Sequence, residues 1–414
     1  MESVNMNKVQ PPDQQSPAPP SLPSMTTPTP TSLSTSTSTS TATTTTTAST
    51  TTEASTATST SANSDNTNTS TSTSTSTDKT NTDISNTDYN PQKALNMPAS
   101  FDPSIVQRLT PTKNLLAISS HVVHGNVGND AIQFPLNLRH WNVDCIYTTN
   151  LSNHPGYRQF KGTKADADLV SILYTGLNDL NLHYDAAIVG YTASKENTAA
   201  VYQILKTFHD SGRRTVTVLD PILGDNGKMY VNSDLIPVYK DILRDGLVNL
   251  VTPNQFEIET LTDMKILTAD DLKLAVNKFY QLYNVKNVVV TSVQLENNPD
   301  IYCVGSAGDG AIFYFKMEQI DAVFSGSGDF FLGLLTDCFV KYNGDLVKSL
   351  KETITIVTKV LQLTYDLCTD CTNTDQKRYI GDKLYLPDLK LIESKEILLD
   401  QHMLEANELV PVFI

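Results

Sequence analysis

Leu115-Leu116-Ala117-Ile118-Ser119-Ser120-His121 is an unbroken apolar run that ends in two hydroxyls and an imidazole. A strand with one wet face alternates apolar and polar residues. A run without alternation belongs to a strand covered on both faces, as in a parallel sheet between helices. Runs of this kind recur at Asp144–Thr148, Ala186–Val189, Thr215–Leu219, Val248–Val251 and Asn287–Thr291. Between them lie amphipathic segments, among them Lys195–Asp210, Asp234–Leu243 and Asp270–Tyr283. The alternation predicts an α/β fold in three layers, a central mostly parallel sheet with helices on both faces. A hairpin is expected next, Ile301–Val304 with Ala311–Phe315, and then helices after Gly328 and from Leu346 to about Leu367. The final stretch, Leu384–Ile414, is mixed in pattern.

Upstream of this region the composition changes. Residues 1–111 are rich in Ser and Thr and poor in large apolar side chains, so they cannot bury enough surface to offset the entropy of ordering. The sequence therefore divides into a disordered low-complexity tail, 1–111, and a folded body, 112–414. The tail is either a tolerated expansion or a site of regulation by phosphorylation or glycosylation. It has no apolar core of the secretory kind, and the first arginine of the chain is Arg108. No apolar run is long enough to span a bilayer. A soluble, cytoplasmic protein without a membrane partner is expected. The net charge of −15 argues against a nucleic acid partner, though a nucleotide can be held by backbone N–H groups and cations. The five cysteines are odd in number, which fits a reducing compartment. Cys368-Thr369-Asp370-Cys371 is a lone C-x-x-C, and zinc would need two further ligands that the sequence does not supply nearby.

In open parallel sheets ligands bind beyond the carboxyl ends of the strands, and polar clusters fall there repeatedly. The most telling stretch is Phe324-Ser325-Gly326-Ser327-Gly328-Asp329, followed by Phe330-Phe331-Leu332. Two glycines before a helix start can aim several N–H groups into one anion-binding nest, and phosphate is the common biological anion. Asp329 beside such a nest is placed to take a proton from an attacking hydroxyl. Alternatively, Asp329 is an ordinary first-turn acid of a capped helix. Asp220 and Asp225 enclose Pro221 and Gly224, and read either as holders of cations against phosphates or as caps of the next helix. Asn254 and Glu257 are three apart at a helix start after Pro253, on one face. They suit a hydrated cation and nucleotide phosphates, or simple capping with Thr252 as the cap. Ser120-His121-Val122-Val123-His124-Gly125-Asn126-Val127-Gly128-Asn129 reads as a glycine-punctuated loop running into a helix, with Ser120 as a hydrogen-bonding group toward a substrate. His121 and His124 have no third metal ligand within reach by sequence. Ser152–Tyr157 is either a surface turn or a loop over a small flat substrate.

Taken together with Val189-Gly190-Tyr191-Thr192, Tyr230-Val231 and Thr291-Ser292, these segments resemble the pyridoxal kinases of the ribokinase-like superfamily. The resemblance spans Lys113 to Ile414, and Thr252-Pro253-Asn254-Gln255-Phe256-Glu257 is its most specific string. It implies ATP-dependent phosphorylation of the 5′-hydroxymethyl group of pyridoxal, pyridoxine and pyridoxamine, by a homodimer. On this basis Asp329 is the general base, and Gly326, Ser327 and Gly328 form the anion hole. Ser120, Val127, Pro155 and Tyr191 meet the substrate. Asp220, Asn254, Thr291, Ser292 and Ser327 meet ATP, with Ile320, Asp321 and Ala322 over the nucleotide. Asp225 holds Mg²⁺ or another divalent cation, and Asp220, Thr252, Glu257 and Thr291 surround K⁺ or Na⁺. There are departures: Pro155 stands where Thr is common, Leu151 where an aromatic is frequent, Ser327 for Thr and Ser119 for Gln. They bear on vitamer preference rather than on reaction type. Two other readings stay open. One is a kinase acting on hydroxymethylpyrimidine. The other is a non-catalytic vitamer-binding protein, against which Asp329, Asp220, Asp225 and Glu257 together argue.

Overall fold

Leu115 and Ala117 are fully buried on one side of their strand, and Leu116 and Ile118 are fully buried on the other. The computed structural model describes residues 111–308, 310–369, 378–400 and 409–414, and the tail 1–110 and Cys371 lie outside them. Its strands are β1 (Lys113–His124), β2 (Trp141–Asn153), β3 (Gly162–Lys164), β4 (Ala186–Val189), β5 (Val216–Leu219), β6 (Gly224–Asp225), β7 (Lys228–Met229) and β8 (Leu250–Val251). They continue as β9 (Asn287–Gln294), β10 (Ile301–Ser306), β11 (Ile312–Lys316), β12 (Ala322–Phe324), β13 (Arg378–Ile380), β14 (Lys383–Leu386) and β15 (Val412–Phe413). The helices are α1 (Asn129–Leu138), α2 (Ala167–Asp179), α3 (Lys195–Asp210), α4 (Leu235–Arg244), α5 (Gln255–Thr262), α6 (Ala269–Tyr283), α7 (Ser327–Lys341), α8 (Leu346–Thr369) and α9 (Lys395–Leu399).

The main sheet has the order β15-β11-β10-β9-β8-β5-β4-β1-β2-β3. From β2 to β9 every neighbour is parallel, and the two flanks are antiparallel. Side chains alternate across a strand, so each central strand feeds two cores. Leu116, Ile118, Val189, Leu219 and Val251 pack with α2 to α6. Leu115, Ala117, Ile188, Val218 and Leu250 pack with α1, α7, α8 and α9. Each such Val, Leu or Ile side chain removed from water contributes about 1.5–3 kcal/mol before entropy is charged against it. The expected three-layer α/β architecture is the one observed. Cys303 and Cys338 are buried, and Cys145, Cys303 and Cys338 are free thiols. Among the described residues no helix is long and apolar enough to cross a membrane.

One expectation needs correction. Ser120–His124 is not loop but the continuation of β1, which runs beside β2 out to the His124/Asn153 pair. A register shift between Ser119 and Ser120 lets the strand carry on past its apolar core. The loop proper is only residues 125–128. From β1 the order steps to β2 on one side and to β4 on the other, which opens a crevice at the carboxyl ends of β1 and β4.

Candidate active site

Asp329 stands at that crevice, in the first turn of α7. It does not cap its own helix. Its Oδ2 accepts a hydrogen bond from the Gly128 N–H at 2.8 Å, a residue 201 positions away. Its Oδ1 lies 3.9 Å from where a side chain on Gly190, at the end of β4, would begin. Burial pushes the carboxyl up to about 6, the Gly128 N–H pulls against this, and the charge of Asp130 adds to it. The acid is therefore a base of moderate strength near neutral pH.

The turn before it is set by glycine. Gly326, the N-cap of α7, has φ +79°, and the carbonyl of Asn126 occupies the space a Cβ would need. The Gly326 turn is thus pressed against the 125–128 loop, with Val127 Cγ1 3.1 Å from the same point. Ser327 Oγ turns back to donate to the Phe324 carbonyl at 3.4 Å. Beside Gly328 the space is open, with no heavy atom within 4 Å of a would-be Cβ. First-turn N–H groups of a helix have no partner within it, so this turn offers donors to an incoming anion.

A second cluster of acids lies beyond β5. Asp220 is 9% exposed, and burial, then the charges of Glu257 and Asp329, hold its carboxyl well above the usual range. Asp225 sits in the β6–β7 hairpin, whose turn residues Asn226 and Gly227 have φ +49° and +74°. The Asn226 N–H and side-chain amide donate to its two oxygens at 2.8 and 2.9 Å, and burial raises its carboxyl. Neither acid caps a helix, because the N-cap of α4 is Asp234.

Asn254 and Glu257 form a capping box at the start of α5. Asn254 Oδ1 accepts from the Glu257 N–H at 3.0 Å, and Glu257 accepts from the Asn254 N–H at 2.9 Å. The alternative in which Thr252 caps this helix does not hold, because Asn254 is the N-cap. Asn254 takes the place because Pro253 keeps the preceding residue extended and one step too far from the helix. Glu257 is 3% exposed and also receives the Leu223 and Gly224 N–H groups at 2.9 and 3.4 Å. Burial outweighs those donors and lifts its carboxyl to about 8. Thr252 Oγ1 is left buried with no hydrogen-bond partner beside these acids. A buried hydroxyl without a partner fits a cation ligand.

The remaining positions fall unevenly. Ser120 is half-buried in β1, and its side chain and carbonyl lie against Gly128. Val127 is buried, and Tyr191 is half-buried after β4, where burial raises its phenol. Thr291 donates its N–H to the Pro253 carbonyl at 3.1 Å, and Ser292 is exposed. The Ala322 N–H donates to Ile320 O at 2.7 Å in the approach to β12, and Asp321 is exposed. Pro155 is exposed on a 3₁₀ turn. Among the described residues no three or more His, Cys, Asp or Glu converge as a metal centre by themselves. The sequence does not show Gly128 as a donor, nor Tyr385 and Asp388, which meet His154, Tyr157 and Ser325 beside the Gly326 turn.

The profile of the family described as Phosphomethylpyrimidine kinase matches residues 150–374. Saccharomyces cerevisiae BUD17 is 39% identical over 305 residues, 70% of this chain and 94% of that protein. The pyridoxal kinase of Bos taurus is 33% identical over 299 residues, 68% of this chain and 94% of that protein. The Leishmania donovani pyridoxal kinase in complex with ADP and pyridoxamine has the same fold, with a TM-score of 0.61 at 22% identity over 73% of this chain and 98% of that one. The Gly326–Asp329 turn, the acids beyond β5 and these likenesses converge: the chain belongs to the pyridoxal kinase family of the ribokinase-like superfamily, kinases that transfer phosphate to an alcohol group.

Proposed function

We propose that this protein uses ATP to phosphorylate the 5′-hydroxymethyl group of pyridoxal, pyridoxine and pyridoxamine, as a cytoplasmic, homodimeric enzyme of vitamin B6 salvage. Residues 112–414 are the catalytic body, and 1–111 are dispensable to it. The observation that carries the reading is Asp329, whose carboxylate leaves its own helix to accept the Gly128 N–H beside the open Gly328 turn. The substrate hydroxyl oxygen attacks the γ-phosphorus in line, its proton passes to Asp329, and the bond to the ADP oxygen breaks. The N–H groups of Gly326, Ser327 and Gly328 receive the charge that builds on the transferring oxygens. Ser120, Val127, Pro155 and Tyr191 orient the ring. Asn254, Thr291, Ser292 and Ser327, with Asp220, line the ATP side, and Ile320, Asp321 and Ala322 lie over the nucleotide.

The acids beyond β5 suit cations. Asp225 would hold Mg²⁺ or another divalent ion, while Asp220, Thr252, Glu257 and Thr291 would surround K⁺ or Na⁺. Such ions supply positive charge that neutralises the phosphates as they move. The partnerless Thr252 hydroxyl and the raised acids around it fit that use. Glu257, with both oxygens tied to backbone N–H groups, acts through the ion's hydration shell.

A coupled ADP-release assay over pyridoxal, pyridoxine, pyridoxamine and hydroxymethylpyrimidine tests the substrate class. Turnover of the three vitamers is expected. Turnover of hydroxymethylpyrimidine alone would move the assignment to the second reading. Asp329→Asn is expected to lower kcat by roughly 10²–10⁴ while ATP still binds. An unimpaired variant would remove Asp329 from the role.

A further inference from the structure

We infer that Asp388 is a positioning residue for the acceptor substrate: its carboxylate holds the Pro155–Tyr157 turn through the Tyr157 phenol and packs against Gly125, whose loop, 125–128, is tied at the next residue, Leu389. The inference rests on the kinase reading above. Asp388 follows β14, which pairs in parallel with β12, the strand running into Ser325 and Gly326. One of its oxygens, Oδ2, accepts the Tyr157 phenol and faces His124 Nε2 at 3.8 Å. The other, Oδ1, is buried without a hydrogen-bond partner. It lies where a side chain on Gly125 would have to go, and Gly125 has φ +106°. The next residue, Leu389, accepts the Asn126 amide at 2.8 Å.

A parallel contact runs through β14 itself. The Tyr385 hydroxyl and Ser325 Oγ share a hydrogen bond of 2.8 Å, with His154 Nδ1 3.5 and 3.4 Å away. The Tyr385 hydroxyl also fills the place of a side chain on Gly156. Two loops from the far ends of β1 and β2 are therefore pinned by one segment near the carboxyl end of the chain. The same 125–128 loop presents the Gly128 N–H to Asp329 and Val127 to the Gly326 turn. A tether alone needs no charge, and leaving a carboxylate oxygen buried and unpaired is costly. The charge does something further: it acts on His154, opposing the effect of burial on that imidazole. Displacement of these loops by about 1 Å would misplace the acceptor hydroxyl, and shifts of that size cost up to about 10²-fold in rate.

The test is steady-state kinetics on the full chain with pyridoxal and ATP, for Asp388→Ala, Asp388→Glu, Tyr157→Phe and the Asp388→Ala/Tyr157→Phe double variant, with Tm measured for each. For Asp388→Ala the expected result is a loss of about 10–100-fold in kcat/KM for pyridoxal, with KM for ATP within about twofold. Asp388→Glu should recover part of the loss. Tyr157→Phe should reproduce part of it, and the double variant should be no worse than Asp388→Ala alone, because the two groups act as one contact. Unchanged pyridoxal kinetics, equal loss on both substrates, or multiplying losses in the double variant would overturn the inference. So would a loss that disappears when the assay is run well below each variant's Tm. If Asp388→Ala does not fold, Tyr157→Phe decides by the same criteria. A wild-type chain that phosphorylates no vitamer removes the kinase reading and this inference with it. Active wild type beside unmoved variants removes the inference alone.

Discussion

At the scale of single residues, burial at Asp329 has a kinetic signature. A base must be ionised to accept a proton, and this one is raised to about 6. The profile of kcat/KM against pH should therefore be flat above about pH 7 and fall toward tenfold per unit below about pH 6. A profile that stays flat down to pH 5 would contradict the assignment of the base. Thr252 offers a separate test. Its Oγ1 has no protein partner, so Thr252→Val removes a hydroxyl that contributes no protein hydrogen bond and leaves a similar shape behind. The expected outcome is an unchanged or slightly raised Tm, together with a weakened activation by K⁺ or Na⁺ in a titration of rate against salt. Asp329 and its glycines could be read from the chain because the chemistry is contiguous. The Gly128 donor could not, because 201 residues separate it from the carboxylate it serves.

At the scale of elements, the chain announced most of its strands and helices. Ala186–Val189 and Lys195–Asp210 have the bounds their composition predicts, since each is a clean apolar or amphipathic segment closed by polar residues. Ser194 accepts the Asn197 N–H and starts the latter helix. The error at Ser120–His124 has a physical source. Polar residues at a strand end look like loop when read alone, and only pairing with the neighbouring β2, of similar length, makes them strand. The junction of the 125–128 loop with α7 is tightly packed. Gly326→Ala puts a side chain into φ +79° and into the Asn126 carbonyl. It should cost about 1–3 kcal/mol in denaturant unfolding and lower turnover more than stability alone accounts for. A variant with wild-type Cm and rate would show that the turn tolerates a side chain.

At the scale of the whole molecule, one ionic knot joins the helices on the face opposite α2 to α6. Arg139, just after α1, is about one-tenth exposed and reaches Asp337 of α7 and Glu352 of α8 at 2.6 Å each. It also donates to the Leu398 carbonyl of α9 at 3.0 Å, and the Trp141 indole donates to Asp337 at 2.8 Å. Both carboxylates are nearly buried, and the guanidinium is the cation that bridges them, with Lys341 also on Glu352. Arg139→Ala should destabilise the fold by up to about 3–5 kcal/mol, since it removes the cation the two carboxylates share and leaves Asp337 to Trp141 and Lys113, and Glu352 to Lys341 and Tyr342. Because Asp337 lies about two helical turns beyond Asp329 on α7, and the knot contacts none of the proposed substrate residues, kcat for the folded fraction should hold. A variant that loses rate but keeps its Tm would contradict this division of labour. Nothing in the sequence flagged Arg139, because its partners lie 198 and 213 residues downstream.

The pairing of β12 with β14 has a consequence for synthesis. Ser325 donates its N–H to the carbonyl of Leu386, and the loop that carries Asn126 is fastened at Leu389. The machinery is thus sutured by a segment translated about 60 residues after the turn it holds. A nascent chain halted on the ribosome before those residues emerge should be catalytically silent, however much of its sheet has already formed.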